Sequence, residues 1–407
     1  MTMQNTKVLS AKTIEIVKAT VPLLQESGVE ITKRFYQIMF SAHPELLHIF
    51  NHTNQKVGRQ PQALANAVYA AAVHIENLEV IVPVVKQIGH KHRSLGVKAE
   101  HYPIVGQCLL QAIKEVANAP EEVLAAWGEA YGVIADVFIQ VEENMYEEAE
   151  KQEGGWKEFR NFVVVDKVKE SDVITSFYLK PEDGQTLSAF QPGQYVSVKI
   201  NIEGEEYTHI RQYSLSEAPT KEYYRISVKR EESSEHAAGI VSNYLHDHIE
   251  TGDVLPLSAP AGDFVLDTTT DIPVVLLSGG VGVTPLLSMF NTLIEKYPNR
   301  NVYWVQSARN SKVHAMKEYI NNAKKLDNVT AYTCYSEPTE NDQKQHNYDK
   351  EGIVDLQWLK SIVPKAADFY FCGPVPFMKH IHHILTEWGV APEHIHFEFF
   401  GPAIDLA

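Results

Sequence analysis

The sequence is short of positive charge. Its 36 lysines and arginines face 52 aspartates and glutamates, which gives a formal net charge of −16. Nucleic acids and anionic membranes are bound by concentrated basic surfaces, so we expect neither nucleic acid nor an obligate membrane as a partner. Small molecules are the partners that this composition favours.

Cysteine is also scarce. The three cysteines, Cys108, Cys334 and Cys372, show no C-x-x-C spacing and cannot pair completely. This excludes a disulfide scaffold and favours reduced thiols. The first twelve residues lack the basic start and apolar core of a secretory signal. We therefore expect a cytoplasmic protein, and we expect it to be a monomer.

Long hydrophobic runs are absent, with one near exception. Residues 272–290 carry no charge, but Gly279, Gly280, Gly282 and Pro285 interrupt them. We interpret this stretch as a buried strand and a glycine loop rather than a membrane span. Internal repeats and low-complexity tracts are missing as well. At 407 residues, the chain exceeds what one core normally supports, so we expect two or three domains.

Three segments differ in the period of their apolar residues. From Lys7 to about Lys151 these residues recur at helical spacing, which predicts an all-α domain over residues 1–152. Helix breakers should divide it into six or seven helices: Gly28, Pro44, Pro61, Gly96, Pro103 and Pro120.

The second and third segments follow the pair Gly154-Gly155. Short alternating runs up to about Phe264 predict an antiparallel β-barrel over residues 153–266. From Ile272 onward, strand-like and helix-like stretches alternate, which predicts a doubly wound, parallel α/β domain over residues 267–407.

A glycine loop, Ser278 to Pro285, follows the apolar strand Val274 to Leu277 and should open a helix near Pro285. Glycines let backbone N–H groups approach a pyrophosphate, and a helix N-terminus favours its negative charge. The loop predicts a dinucleotide site made by Gly279, Gly280, Val281, Gly282, Val283, Thr284 and Pro285.

The barrel segment contains Arg211-Gln212-Tyr213-Ser214. Arginine can fix a phosphate, tyrosine can stack on a flat ring, and serine can bond a ring nitrogen. The chain from about Phe159 to its end resembles the ferredoxin-reductase-type flavoproteins in this tetrapeptide, in the glycine loop and in three further motifs: Pro192-Gly193-Gln194-Tyr195, Cys372-Gly373-Pro374 and Glu398-Phe399-Phe400-Gly401-Pro402.

That resemblance implies bound FAD. Phe400 would cover the flavin where nicotinamide must enter, Phe399 stands where many relatives have cysteine, and Glu398 would tune electron transfer. Cys372 would face the nicotinamide as a catalytic thiol or as a buried filler. The backbone of residues 239–242 would hold the FAD diphosphate. The implied FAD contacts are Tyr195, Arg211, Gln212, Tyr213, Ser214, Phe399, Phe400, Gly401 and Pro402.

Dinucleotide preference depends on the segment Gln306-Ser307-Ala308-Arg309. It offers no acid for a ribose 2′-hydroxyl, and Arg309 could accept a 2′-phosphate. We expect NADH, as in the family, with some tolerance of NADPH.

The helical segment contains seven histidines, and periodicity does not choose among them: His43, His48, His52, His74, His90, His92 and His101. Other residues accompany them in the order Phe35-Tyr36, Gln60, Lys91-His92, Tyr102 and Glu142. This order resembles the bacterial flavohaemoglobins over residues 7–150. With the flavoprotein half, the resemblance covers essentially the whole chain in the same domain order.

The flavohaemoglobin resemblance implies haem b with His92 as the proximal iron ligand. Tyr102 and Glu142 would be a catalytic pair that bonds the other ring nitrogen of His92 and pushes electron density onto the iron. Considered without the resemblance, Tyr102 could be a helix-start aromatic and Glu142 a solvated residue.

On the distal side, Tyr36 and Gln60 would donate hydrogen bonds to bound oxygen. Phe50 and Leu64 would line that pocket. Lys91 would pair with a haem propionate and tune electron transfer, although a surface lysine is the alternative.

The activity that the resemblance implies is nitric oxide dioxygenase: electrons pass from NAD(P)H through FAD to haem iron, and nitric oxide and oxygen give nitrate. FAD is required because nicotinamide gives two electrons at once while haem iron takes one. Two alternatives stay open, a haem-based gas sensor or carrier whose reductase keeps iron ferrous, and a flavin or ferric reductase with an incidental globin.

Overall fold

A computed structural model describes residues 8–50, 58–232 and 239–401. The chain divides into two compact units, Met1–Phe159 with Lys199–Arg211, and Arg160–Val198 with Gln212–Ala407. The described helical segment has two short 3₁₀ turns, Pro44–His48 and Leu78–Ile81, and six α-helices: α1 (Ala11–Ala19), α2 (Val21–Ala42), α3 (Arg59–Val73), α4 (Val82–Leu95), α5 (His101–Ala117) and α6 (Glu121–Lys151).

Most of the expected helix breakers lie at element ends. Gly96 ends α4 in the left-handed conformation, with φ of 81°. Pro120 is the N-cap of α6. Gly28 is an exception, and its expected break is wrong, because α2 runs through it. A Cβ at Gly28 would lie 3.6 Å from Cβ of Ala65 on α3, an ordinary van der Waals contact, so the packing there does not require glycine.

The second segment is an antiparallel barrel, as predicted. Its strand order is β4-β3-β6-β1-β2-β5. An antiparallel bridge between Leu215, which follows β4, and Ile226 of β5 joins the two edges. The elements are β1 (Phe159–Lys169), β2 (Ile174–Pro181), β3 (Tyr195–Ile200), β4 (His209–Ser214), β5 (Tyr224–Lys229), α7 (Ile240–His248) and β6 (Val254–Ser258).

The third segment is a parallel sheet in the order β10-β9-β8-β7-β11-β12. Its strands are β7 (Val274–Gly279), β8 (Val302–Ala308), β9 (Val329–Tyr335), β10 (Lys350–Glu351), β11 (Asp368–Cys372) and β12 (Ile395–Glu398). Its helices are α8 (Val283–Lys296), α9 (Lys317–Ala323), α10 (Glu340–Gln345), α11 (Leu356–Ile362) and α12 (Val375–Trp388). The chain steps from β7 out to β10 and then crosses to β11, so the topological switch point lies between β7 and β11, where such sheets bind ligands.

The uncharged stretch 272–290 forms β7, a 3₁₀ turn over Gly280–Gly282 and the first half of α8. This confirms the interpretation as a strand and a glycine loop, although α8 begins at Val283, two residues before Pro285. Within the described ranges, no helix combines the length and apolarity needed to cross a bilayer. All three cysteines are buried and unpaired, as expected.

Helices α5 and α6 approach closely at Gly106. A Cβ there would lie 2.5 Å from the ring of Tyr131, whose hydroxyl donates to the carbonyl oxygen of Tyr102 at 2.7 Å. Gly106→Ala should therefore destabilise the protein by about 1–3 kcal/mol, the usual range for overpacking.

The control is Gly132→Ala on α6, where an added Cβ meets no atom of the described part of the chain within 4 Å. Glycine inside a helix costs more conformational entropy than alanine, so that variant should be more stable by roughly 0.5–1 kcal/mol. Urea unfolding followed by circular dichroism measures both, and equal stabilities of the two variants would contradict the packing argument.

Candidate functional site

Three helices bring His92, Tyr102 and Glu142 together. His92 Nδ1 lies 2.7 Å from Glu142 Oε1, and the Tyr102 hydroxyl donates to the same oxygen at 2.7 Å. Burial, and then the charge of Glu142, raise the pKa of the Tyr102 hydroxyl well above its usual range, so it stays protonated and donates. Glu142 is 3% exposed, which rules out the alternative of a solvated residue.

Glycine and tyrosine residues hold this group in place. A Cβ at Gly89 of α4 would lie 3.2 Å from Met145 Sδ and 3.5 Å from Glu142 Cγ on α6, so the absence of a side chain lets α4 approach α6. Tyr131 bonds the backbone of Tyr102, and the Tyr146 hydroxyl donates to the carbonyl oxygen of Val97 at 2.8 Å. Sequence patterns did not reveal Gly89, Tyr131 or Tyr146, since a helical glycine and core tyrosines carry no specific signal.

The group fits the donor set of a haem ligand. The His92 side chain is 33% exposed while that of Glu142 is 4% exposed, so the imidazole borders open space with its acceptor behind it. Nδ1 is engaged by Glu142, and Nε2 makes no hydrogen bond to the described residues. A histidine whose second nitrogen is held by a carboxylate is the arrangement that metal-binding histidines adopt.

Aromatic rings surround Tyr36, which is 7% exposed on α2. Its ring centroid lies 4.7 Å from that of Phe35, 5.7 Å from Phe40 and 5.9 Å from Phe50. Phe40 and Phe50 are themselves 5.3 Å apart. The structure thus places Phe50 beside Tyr36, and its role as a wall of the distal pocket stays a prediction.

Gln60 and Leu64 lie on α3 and are partly buried. The start of α3 is tied to α2, because Thr32, four residues before Tyr36, donates to the carbonyl oxygen of Pro61 at 2.8 Å. Lys91 lies on α4 and is partly buried. Its carbonyl oxygen accepts from Ser94 Oγ at 2.9 Å.

The expected flavin residues of the barrel lie on β3 and β4. Tyr195 of β3 forms an antiparallel bridge with Ala261, and a Cβ at Gly262 would lie 3.0 Å from its ring. On β4, Arg211 donates to the carbonyl oxygen of Ile210 at 2.8 Å.

The three residues that follow Arg211 also lie on β4. Gln212 Nε2 donates to Ser197 Oγ at 3.3 Å. Tyr213 is partly exposed and Ser214 is buried. A run of partly exposed polar and aromatic side chains on one strand suits a flat, polar-edged ligand such as FAD.

The expected diphosphate segment begins α7. Gly239 is its N-cap, and no side chain of the described residues caps it. A Cβ at Gly239 would lie 2.5 Å from Ser242 Oγ and 2.8 Å from Glu231 Cβ, so only glycine fits. An N-terminus whose N–H groups lack a side-chain acceptor fits an anion.

The C-terminal motif follows β12. Glu398 is paired with Cys372 in the parallel ladder. Phe399 is partly buried, whereas Phe400 is 46% exposed, an unusual position for phenylalanine that a stacked ring would cover. Gly401 has φ of 145°. Pro402 lies outside the described residues. Burial raises the pKa of the Cys372 thiol well above its usual range, which disfavours a thiolate and supports the filler role.

The glycine loop lies at the switch point between β7 and β11. A Cβ at Gly282 would lie 2.1 Å from the carbonyl oxygen of Cys372 and 2.6 Å from the Gly373 nitrogen. A Cβ at Gly279 would lie 2.9 Å from the ring of Phe377. The two loops therefore touch backbone to backbone beside the start of α8, where none of the residues with described positions provides a side-chain cap.

The other residues of the loop support α8. Thr284 is buried and its Oγ1 donates to the carbonyl oxygen of Val281 at 3.1 Å, while Val283 and Pro285 are buried in the first turn of the helix. Gly280 has φ of 54°, which favours glycine. The loop and the helix start fit a pyrophosphate.

The segment after β8 is divided between the core and the surface. Gln306 is 2% exposed, and its side chain accepts from Trp304 Nε1 at 3.1 Å and donates to the carbonyl oxygen of Ala315 at 3.0 Å. It is therefore a core residue. Arg309 is exposed, and its carbonyl oxygen accepts from the Glu337 nitrogen at 2.8 Å.

Comparison with known families gives one match for each segment. A globin model matches residues 33–138, an oxidoreductase FAD-binding domain model matches residues 161–266, and an oxidoreductase NAD-binding domain model matches residues 276–383.

Known proteins match the chain along its length. A flavohemoprotein of Bacillus thuringiensis subsp. konkukian is 70% identical over 98% of this chain and 100% of its own. A crystal structure of flavohemoglobin from Malassezia yamatoensis with bound FAD and heme has a TM-score of 0.81 at 26% identity, over 97% of this chain and 100% of that one. The FAD/NAD binding domain of nitric oxide dioxygenase from Vibrio cholerae has a TM-score of 0.55 at 38% identity, over 60% of this chain and 99% of that one.

The buried Glu142 carboxylate should lower the reduction potential of an iron bound to His92, because a negative acceptor favours the more positive iron. Glu142→Gln keeps the shape and the Tyr102 hydrogen bond but removes the charge. Spectroelectrochemistry of the haem-loaded protein should show that the reduction potential rises by on the order of 50 mV. For a one-electron reduction, about 59 mV corresponds to a tenfold change in the equilibrium constant.

The control is Glu143→Gln, which removes the same charge from an exposed side chain one residue further on. If the two variants have potentials within about 10 mV of each other, Glu142 does not act on the iron ligand.

Proposed function

Because this chain belongs to the flavohemoproteins, we propose that it is a nitric oxide dioxygenase that uses haem b, FAD and NADH, with NADPH as a tolerated alternative. The observation that carries the proposal is the buried Glu142 carboxylate behind His92, in a chain that also has both reductase domains. A storage protein needs no continuous supply of electrons, so the fused reductase argues against a carrier.

Bound haem iron would supply the site where oxygen and nitric oxide react to give nitrate, and bound FAD would convert two-electron NADH into the single electrons that iron takes. The chain's own task on the proximal side is to hold an imidazole. Glu142 accepts a hydrogen bond from Nδ1–H of His92, which would leave the Nε2 lone pair for the iron. Tyr102 donates to the same carboxylate oxygen and fixes its orientation.

Tyr36 and Gln60 are the proposed distal donors. The ring of Tyr36 is packed between Phe35, Phe40 and Phe50, which restricts its rotation and fixes the direction of the hydroxyl. A donor in that position would stabilise oxygen as it gains negative charge. The aromatic rings around it would exclude water.

The reductase residues keep their proposed roles. Tyr195 and β4 would bind FAD, Phe400 would cover its ring, and the loop Gly279–Pro285 would hold the dinucleotide pyrophosphate. Lys91 would pair with a haem propionate, and Glu398 would tune electron transfer beside Cys372. We also propose domain limits of residues 1–152, 153–266 and 267–407.

We further propose a cytoplasmic monomer. Three buried, unpaired cysteines suit a reducing compartment, and the net charge of −16 disfavours anionic surfaces.

Aerobic NADH consumption with and without nitric oxide tests the activity. A dioxygenase should consume NADH faster when nitric oxide is present, with nitrate as the product. A carrier, a sensor or a ferric reductase should show turnover that nitric oxide leaves unchanged, and that result would overturn the proposal.

The role of Tyr36 has its own test. Tyr36→Phe keeps the ring volume, so packing, haem content and flavin reduction should be preserved. A hydrogen bond to a charged acceptor contributes about 1.5–3 kcal/mol, so oxygen should leave the ferrous protein roughly 10- to 150-fold faster. Stopped-flow measurement decides it, and rates within about threefold would make Tyr36 a core aromatic.

A further inference from the structure

A buried ion pair lies in the second unit, outside the sites described above. Arg225 Nη1 of β5 is 3.2 Å from Glu217 Oε2, and both side chains are 9% exposed. Arg225 Nε also donates to Ser216 Oγ at 3.2 Å, and the guanidinium donates to the Ser216 carbonyl oxygen. The desolvation of two charges offsets most of their attraction, so net stability is a weak reason for such a pair.

The same carboxylate reaches helix α8. Asn291 Nδ2 donates to Glu217 Oε1, and Ser288 Oγ donates to the carbonyl oxygen of Glu217 at 2.7 Å. Asn291 Oδ1 in turn accepts from the hydroxyl of Tyr319 on α9 at 2.8 Å. Ser288 and Asn291 are 0% and 1% exposed. A chain of directional bonds therefore connects the barrel to α8.

A second contact between α8 and the barrel is formed at Gly193. Gly193 has φ of 107°, and a Cβ there would lie 2.6 Å from Met289 Cε of α8 and 2.1 Å from the carbonyl oxygen of Phe264. The second turn of α8 therefore rests directly on the turn that precedes Tyr195. Both contacts fall next to segments that would bind FAD.

We propose that Glu217 is a positioning residue for flavin reduction, and that its contacts with Arg225 and Asn291 fix the dinucleotide loop relative to the flavin-binding strand. Glu217 lies three residues after Ser214, the end of β4, and Ser288 lies three residues after Pro285, the end of the loop. Short, buried segments thus connect the contacts of Glu217 with α8 to both cofactor sites. The inference rests on the FAD and NADH sites of the proposed function.

Alignment of the two sites matters because NADH passes a hydride, one proton with two electrons, to FAD and leaves as NAD⁺. Such a transfer needs the reacting atoms in near contact, and a displacement of about 1 Å can slow a reaction by up to about 100-fold. Loss of the contacts between Glu217 and α8 should therefore slow hydride transfer more than it weakens the binding of NADH.

The test variants are Asn291→Ala, which cuts the bond to the carboxylate, and the milder Ser288→Ala. Glu295→Gln is the control, since Glu295 joins the same helix to Thr220 and Lys221 at 2.6 Å through a partly exposed pair. Anaerobic stopped-flow gives the flavin reduction rate constant and the NADH dissociation constant for each full-length holoprotein. Amide hydrogen exchange over residues 283–290 measures the looseness of α8 without turnover.

Asn291→Ala should reduce flavin roughly 10- to 100-fold more slowly per bound FAD, with an NADH dissociation constant within about threefold of the original and faster amide exchange in α8. Glu295→Gln should match the original protein. If Asn291→Ala fails to fold, the same measurements on Ser288→Ala test the inference, and the expected decrease in the flavin reduction rate constant is smaller. An unchanged rate constant in the variants would overturn the inference. If NADH fails to reduce the flavin of the original protein, the proposed function is overturned instead.

Discussion

The 2.7 Å contact between His92 Nδ1 and Glu142 is the interaction on which the proposed chemistry of the helical segment depends. A carboxylate that is 3% exposed is stable only when donors satisfy it. His92 and Tyr102 supply those donors from α4 and α5, while Glu142 itself comes from α6. Three helices must therefore converge on one oxygen atom, and the glycines at positions 89 and 106 let them approach closely enough.

Close backbone approach is also the constraint in the reductase half. Gly282 touches the backbone after β11, and Gly193 touches α8, so at each point a side chain would separate elements that must meet. Buried polar contacts then set the direction of approach, as Glu217 does toward Asn291. In the helical segment and in the reductase segments, glycines allow neighbouring elements to approach closely, and a buried carboxylate fixes their relative orientation.

The periods of the apolar residues were enough to predict the three architectures, because burial imposes a period of 3.6 on helices and 2 on strands. Gly28 was wrongly expected to end a helix, because a single glycine weakens a helix by only about 1 kcal/mol and α2 buries residues on both sides of it. Neither His92 nor Glu142 could be chosen without the family resemblance, because their pairing spans 50 residues of sequence. The bond between Glu217 and Asn291 spans 74 residues and leaves no local pattern, so only the folded chain reveals it.

In the proposed reaction, oxygen would be incorporated into nitric oxide at a haem that His92 would hold. Turnover of the holoprotein with NADH, nitric oxide and ¹⁸O₂, followed by mass spectrometry of the nitrate, tests it most directly. A dioxygenase transfers both atoms of one oxygen molecule, so the nitrate should carry two labelled oxygens. Unlabelled nitrate, or a product with a single label, would contradict it.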